Sequence, residues 1–289
     1  MTTTTVSPTS MRSGVSRTSR SRRTLSPGTI GRVVVLGVAT VLTLGPVLWT
    51  LWIAVTPQVA GAGQTRFGLS AFADVFAKVD MVLLVWNSAL VTGLCAVGQM
   101  FTAALAGYVF ARIEFRGSRA LFGVVLATMM VPLQVTIVPV FMLIRGMGLS
   151  DTLLALILPA IPTAFGTFLM RQYFLGLPAE LAEAAAIDGA GTFRTFTSIY
   201  APLAMPGLAI VGILAFNYHW NEFFRPLIFL QSTDKFTLPL GLVTLQGNLG
   251  TGSVSTVLAG VVLSMIPALV VFFVGQRPLR EGLTAGTSK

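Results

Sequence analysis

Side chains able to do covalent chemistry are few, and they are spaced badly for it. Binding a nucleotide phosphate takes G-x-x-x-x-G-K-[ST], whose backbone N–H groups cradle the phosphates while the lysine meets their charge. The lysines are Lys78, Lys235 and Lys289, and none follows a glycine. One cysteine, Cys95, excludes an internal disulfide and a Cys-rich metal site, and reads as a small packing residue. One histidine, His219, excludes a multi-His site and reads as a hydrogen-bonded structural residue. Glu222 and Arg225 stand at i, i+3. They are either a proton site or a pair that neutralises itself. Asn87, Gln134, Asn217, Trp220 and Asn221 are polar or amphipathic residues set within or beside apolar runs. Either they face a polar path, or the amides tie helices together and Trp220 belongs to an interfacial belt.

The elements that carry these residues are set by composition. Of 289 residues, 54% are apolar and 10% are charged, and the mean hydropathy is +0.82. A soluble domain carries about 25% charged residues, so this chain reads as an integral membrane protein. The same balance excludes a secreted enzyme, a nucleic-acid-binding domain and a disordered chain. The net charge of +9 fits basic loops on the cytoplasmic side of a bilayer, so no nucleic-acid partner is expected. Six stretches are long and apolar enough to cross, given that a span takes about 20 residues: Val33–Val55, Met81–Ala111, Ala120–Ile144, Thr152–Met170, Leu203–Asn221 and Val254–Gly275. Backbone groups in lipid must be satisfied internally, so these read as helices.

With the N-terminus inside, the inner segments hold the arginines from Arg12 to Arg32, then Arg112, Arg116, Arg119, Arg171, Arg194, Arg277, Arg280 and Lys289. The outer segments hold Arg66, Lys78, Arg145 and Lys235, with Arg225 in or near the fifth span. Both termini are therefore expected in the cytoplasm. Residues 1–29 are rich in Thr, Ser and Arg and read as a disordered basic tail, followed by one membrane domain, 30–289. Ser21-Arg22-Arg23-Thr24-Leu25 faintly resembles a twin-arginine export signal, with Ala60-Gly61-Ala62 as a cleavage site. The apolar stretch that follows exceeds the roughly 7–15 residues of a signal core, which favours an anchored span behind a basic tail. Met11 is a second candidate start.

One inner connection, from about residue 174 to 202, is too long for a simple turn and carries its own helical signals. Pro178 suits a first helical turn. Glu180 and Glu183 sit near the positive end of the helix dipole, and the alanines that follow favour helix. Gly189 and Gly191 stop it. Thr192 is placed to cap a second short helix carrying Phe193, Phe196 and Ile199, which Pro202 ends. Leu181, Ala184, Ala185 and Asp188 fall on one face by i, i+3 and i+4 steps. Such small side chains let a partner approach closely; a loop resting on lipid headgroups is the plainer alternative.

The sequence Glu183-Ala184-Ala185, three residues, Gly189, nine residues, Ile199, one residue, Ala201-Pro202 resembles the EAA signature of permease subunits of ATP-binding-cassette importers. Ala201 stands where the family usually has leucine. Fragments such as Met130-Val131-Pro132, Phe168-Leu169-Met170-Arg171-Gln172, Trp220-Asn221-Glu222-Phe223 and Thr237-Leu238-Pro239-Leu240-Gly241-Leu242 are similar to the smaller permease of the maltose/multiple-sugar class. The resemblance runs from about residue 30 to the C-terminus.

The resemblance implies an all-α polytopic fold of six transmembrane helices in the bacterial cytoplasmic membrane. Glu183, Ala184, Ala185, Asp188 and Gly189 would form a coupling helix that docks on a cytoplasmic ATPase dimer. That ATPase binds the ATP, so this chain itself needs no cofactor and is not an enzyme. A second homologous permease and an extracytoplasmic sugar-binding protein would complete the assembly. Asn87, Gln134, Asn217, Trp220 and Asn221 are the candidates for contact with a sugar, which takes amide hydrogen bonds and an aromatic face. Two competing readings remain. A self-sufficient secondary transporter would need inverted repeats and an ion site, and a membrane scaffold would use the 174–202 loop only as an anchor.

Overall fold

A computed structural model describes residues 27–57, 67–247 and 252–285. The chain divides into two units, Met1–Leu48 and Trp49–Lys289. The described part of the first unit is the leading portion of α1 (Pro27–Val55). Its side chains from Val33 to Leu48 include many exposed apolar groups, as at Leu42, 72% exposed. Pro27 opens the helix, where its missing N–H has no partner to lose. The helix thus begins inside the segment expected to be a tail. Residues 1–26, with Ser21–Leu25, lie outside the described residues, as do Ala60–Ala62 and the end of the chain from Gly286.

The second unit is built around one long post. After α2 (Ser70–Lys78), α3 runs from Met81 to Arg112. Asp80 caps it, its carboxylate accepting the Leu83 N–H at 3.0 Å. Then come α4 (Ser118–Thr128) and α5 (Leu133–Gly146). These are followed by α6 (Leu154–Ile157), extended by a 3₁₀ turn to Ala160, and α7 (Ala164–Leu175). A hairpin of α8 (Glu180–Ile187) and α9 (Thr192–Thr195) leads through α10 (Ala201–Leu203) into α11 (Met205–Trp220). The short α12 (Phe224–Phe229) and α13 (Leu238–Val243) precede α14 (Val254–Ala285).

Among the described residues, α1, α3 and α14 are each long and apolar enough to cross a membrane unbroken. The third and fourth expected spans are bent pairs, α4 with α5 by 99° and Leu154–Ala160 with α7 by 40°, whereas the fifth, Leu203–Asn221, is α11 itself, bent by 72° from the Thr192–Leu203 helix of the hairpin that precedes it. Prolines mark each break. Pro132 precedes α5, Pro162 lies between the halves of the second pair, and Pro206 sits in the first turn of α11. Each lacks the N–H that would continue the helical ladder.

The helix expected to stop at Pro202 ends one residue later, at Leu203. The backbone widens to a π turn over Phe196–Tyr200, closed by the Ala201 N–H on the Phe196 carbonyl, and continues to Leu203. A widened turn relieves the clash of a proline ring with the carbonyl before it.

Three apolar clusters hold the unit. Val91, Cys95, Leu156 and Phe229 centre one, Val75, Leu84, Trp220 and Leu238 a second, and Tyr108, Met170, Phe174 and Tyr200 a third. Cys95 is fully buried, as its reading as a packing residue requires. α3 packs along α7 and α11. At Gly107 the approach to α7 is so close that an added Cβ would stand 2.6 Å from the Met170 Cβ.

Candidate functional site

The α8–α9 hairpin begins at Ala179, whose carbonyl accepts the Ala182 and Glu183 N–H groups at 2.9 and 3.4 Å. Pro178 therefore lies before the helix rather than in its first turn. Its carbonyl instead accepts the Tyr200 hydroxyl at 3.4 Å. Glu180 and Glu183 occupy the first turn, as expected. The helix stops at a reciprocal C-cap: Ala190 N–H donates to Ala185 O (2.9 Å) and Gly189 N–H to Ala186 O (3.0 Å). Closing those two bonds puts Gly189 at φ +73°, where a residue without Cβ meets no strain. Gly191, not Thr192, is the N-cap of α9, and Thr192 is its first helical residue.

The hairpin is fixed to the helices beneath it. Leu181 and Ala182 turn inward onto the cluster of Tyr108, Phe174, Phe196 and Tyr200, whose rings pack edge-on or tilted. Arg112, at the end of α3, donates to the carbonyls of Phe174 (2.6 Å) and Leu177 (2.5 Å) and stands 5.0 Å over the Tyr200 ring. Cationic donors on carbonyls at a helix C-terminus are favourable. The small-residue face expected from i, i+3 and i+4 steps is thus divided. Ala185 is buried, at 4% exposure, against the chain's own core, while Glu183, Ala184, Asp188 and Gly189 remain exposed together. Ile187 (86%) and Phe193 (75%) join them outside. Ile187 was not singled out from the sequence, and Phe193 only as a residue of the second short helix.

The five polar-path candidates separate as well. Asn87 is buried and donates to the carbonyls of Asp234 and Phe236, each at 3.0 Å. Trp220 is 3% exposed, stacks on Phe216 and donates its indole N–H to Ser264 O at 3.2 Å. Both are internal ties between elements. Gln134, Asn217 and Asn221 are exposed, and Asn221 donates to the Asn217 carbonyl at 2.8 Å. Trp220 and Asn221 also border a cavity of about 260 Å³ that Gln246 and Ser264 share.

Glu222 and Arg225 form the expected pair. The Arg225 Nε and Nη2 groups fork onto the two carboxylate oxygens of Glu222. The pair is part of a larger buried network. Arg225 Nη1 donates to Leu156 O at 3.0 Å, His219 Nδ1 lies 3.1 Å from Glu222, and His219 Nε2 lies 2.9 Å from the Gln99 amide. That amide also donates to Ala160 O at 2.8 Å. Arg225 Nη2 also lies 3.1 Å from His219 Nδ1. Gln99 was not singled out from the sequence. Its signal was an amide within the otherwise apolar course of α3.

At the opposite end from the hairpin, Asp151 adopts φ +55°. Its carboxylate accepts the Gln231 and Ser232 N–H groups at 2.8 and 3.0 Å and the Ser232 hydroxyl at 2.5 Å, with Lys235 at 3.5 Å. These donors, the serine hydroxyl first, hold the carboxyl well below the usual carboxylate range.

Among the described residues, three unbroken apolar spans with up to three more if each bent pair is one span, a docked hairpin with an exposed acidic and apolar face, and no strand define a multi-pass, all-α membrane component. Residues 99–279 match the family of binding-protein-dependent transport system inner membrane components, and the chain belongs to that family. It is 38% identical to the arabinooligosaccharides transport system permease protein AraQ of Halalkalibacterium halodurans, over 70% of this chain and 72% of that one. It is 34% identical to the lactose transport system permease protein LacG of Rhizobium radiobacter, over 86% and 92%. A crystal structure of a bacterial ABC transporter involved in the import of the acidic polysaccharide alginate contains a chain that superposes with a TM-score of 0.75. The two are 26% identical over 86% of this chain and 95% of that one.

Proposed function

We propose that this chain is one of two permeases of a sugar importer, and that it moves its substrate by alternating access driven by ATP hydrolysis in a cytoplasmic ATPase dimer. An extracytoplasmic binding protein delivers the sugar, and neither permease changes it covalently. The observation that carries this reading is the hairpin. Glu183, Ala184, Ile187, Asp188 and Gly189 stand free on one side, while Arg112 and the aromatic cluster fix the other side to α3 and α7. A surface that is both open to a partner and rigidly joined to the spans can pass a partner's motion into the membrane. Ala185 supports the docking face from beneath rather than by contact. In this reading the hairpin and both termini are cytoplasmic, and the Asp151 loop faces outward.

The sugar path is assigned to Gln134, Asn217 and Asn221, with Trp220 and Asn87 holding the surrounding elements. The path residues are neutral amides, and the nearby cation, Arg225, is already matched by Glu222. That chemistry suits a neutral oligosaccharide or disaccharide, in keeping with the relatives named for arabinooligosaccharides and lactose. The secondary-transporter reading loses its acidic candidate, because Glu222 is fully engaged by Arg225 and His219.

Proteoliposomes holding the full assembly test this directly. ATP-dependent accumulation of labelled lactose or arabinooligosaccharide is expected, and Glu183→Ala with Asp188→Ala should abolish it without loss of the permease from the bilayer. Uptake by this chain alone, with no ATPase present, would refute the proposal.

A further inference from the structure

The break between Leu154–Ala160 and α7 leaves backbone carbonyls inside a span, where no water satisfies them. Side chains from two other elements, α12 and α3, take up three of them. Arg225, on α12 just beyond α11, donates to Leu156 O at 3.0 Å. Gln99 and Thr102, on α3, donate to Ala160 O at 2.8 Å and Ile161 O at 2.9 Å. His219 and Glu222 join the Arg225 and Gln99 ends of this set into one network. The His219, Glu222 and Arg225 side chains are 2%, 8% and 6% exposed.

Connectivity gives the network its meaning. α7 leads directly into the α8–α9 hairpin, and α9 and α10 lead out of it into α11. The two helices therefore share the hairpin at one end. At their other ends the network joins His219, in the last turn of α11, to the break that precedes α7. The result is a closed frame of α7, hairpin and α11, with α11 a lever of about 24 Å at 1.5 Å per residue. A buried ion pair contributes little to stability compared with apolar residues of the same size. What it supplies in this location is a fixed relation between α11 and the broken span that ends in α7.

We infer that Gln99, His219, Glu222 and Arg225 are positioning residues for transport: they latch the far ends of α7 and α11, so that a displacement of the hairpin turns the frame as one body instead of splaying it. The inference rests on the importer reading above.

The test compares the wild-type assembly in proteoliposomes with two variants of this chain, using whichever of lactose or arabinooligosaccharide the wild type transports. Glu222→Gln with Arg225→Met removes both charges together and so strands neither. Gln99→Leu leaves the ion pair intact and releases Ala160 and His219. ATP hydrolysis and sugar uptake are measured in the same vesicles, at matched amounts of assembled complex. Both variants are expected to keep ATP hydrolysis within about twofold of wild type, while sugar moved per ATP falls about tenfold, within the range for residues that carry coupling between sites. Unchanged sugar moved per ATP in either variant overturns the latch. So does loss of the assembled complex in both variants, which assigns the network to folding alone. A wild-type assembly whose uptake ignores ATP refutes the importer reading instead, and is read before the variants are compared.

Discussion

At Gly189 the constraint is conformational and not steric: an added Cβ would meet nothing within 4 Å, yet φ is +73°. Alanine there costs about 1–2 kcal/mol of left-handed strain and loosens the end of α8. Asparagine tolerates this backbone region better. Sugar uptake is therefore expected to fall with Gly189→Ala and to fall less with Gly189→Asn, at equal membrane abundance by immunoblot. The reverse order would mean that the partner reads the glycine surface itself. Asp151 gives a second residue-scale prediction. Its carboxyl is held below its unfolded value by the Ser232 and Gln231 donors. The stability it contributes is thus fully present above the unfolded pKa of about 3.9 and is lost as pH falls through the lower folded value. Wild type should melt above Asp151→Asn at pH 7 and at pH 5. Thermal melts of the purified proteins should converge only below about pH 4.

The relevant unit at the next scale is the joint between α3, α7 and the hairpin. Arg112 bridges two carbonyls, of Phe174 and Leu177, and covers Tyr200. Both bonds come from one nitrogen, Nη2, and what a lysine ammonium cannot reproduce is the planar group held over the ring at the same time. Arg112→Lys should cost about 2 kcal/mol, in the range for a hydrogen bond to a charged group, and should expose the 175–180 connection to protease in detergent. Gly107 controls the same joint from within the membrane. With the Met170 Cβ 2.6 Å from where a new Cβ would stand, Gly107→Ala forces α3 and α7 apart at about 1–3 kcal/mol. A lowered thermal midpoint is the measurement. Gly93, in the same helix with open space around it, should accept alanine without loss.

For the whole molecule, the prediction concerns sidedness and company. Reporter fusions at the two termini should both be active in the cytoplasm, and one at the 147–151 turn should be active only outside. Gentle purification from the host membrane should bring along a second six-helix permease and a Walker-motif ATPase. A chain that arrives alone yet supports uptake would return Glu222 to consideration as an ion site. The scaffold reading predicts a partner but no uptake to lose.

The sequence by itself determined the class of molecule, because scarce charge and long apolar runs leave a chain no alternative to the bilayer. It also determined where α1, α3 and α14 run, the place of the hairpin, and the Glu222–Arg225 pair, since helix length, glycine stops and i, i+3 spacing are local properties. Tertiary structure decided the rest. Prolines marked where two spans break and where the hairpin turns into α11, but bends of 99°, 40° and 72° are set by what each half packs against. Leu181 and Ala182 turned inward because the hairpin rests on rings contributed by α3, α7 and the π turn, while Ala185 is buried and Ile187 exposed. Asn87 and Trp220 proved to be ties because their partners, at Asp234 and Ser264, lie far away in sequence. Gln99 meets His219 across 120 residues, and no local pattern encodes that meeting. Spacing along a helix fixes which residues share a face, but only packing decides what that face meets.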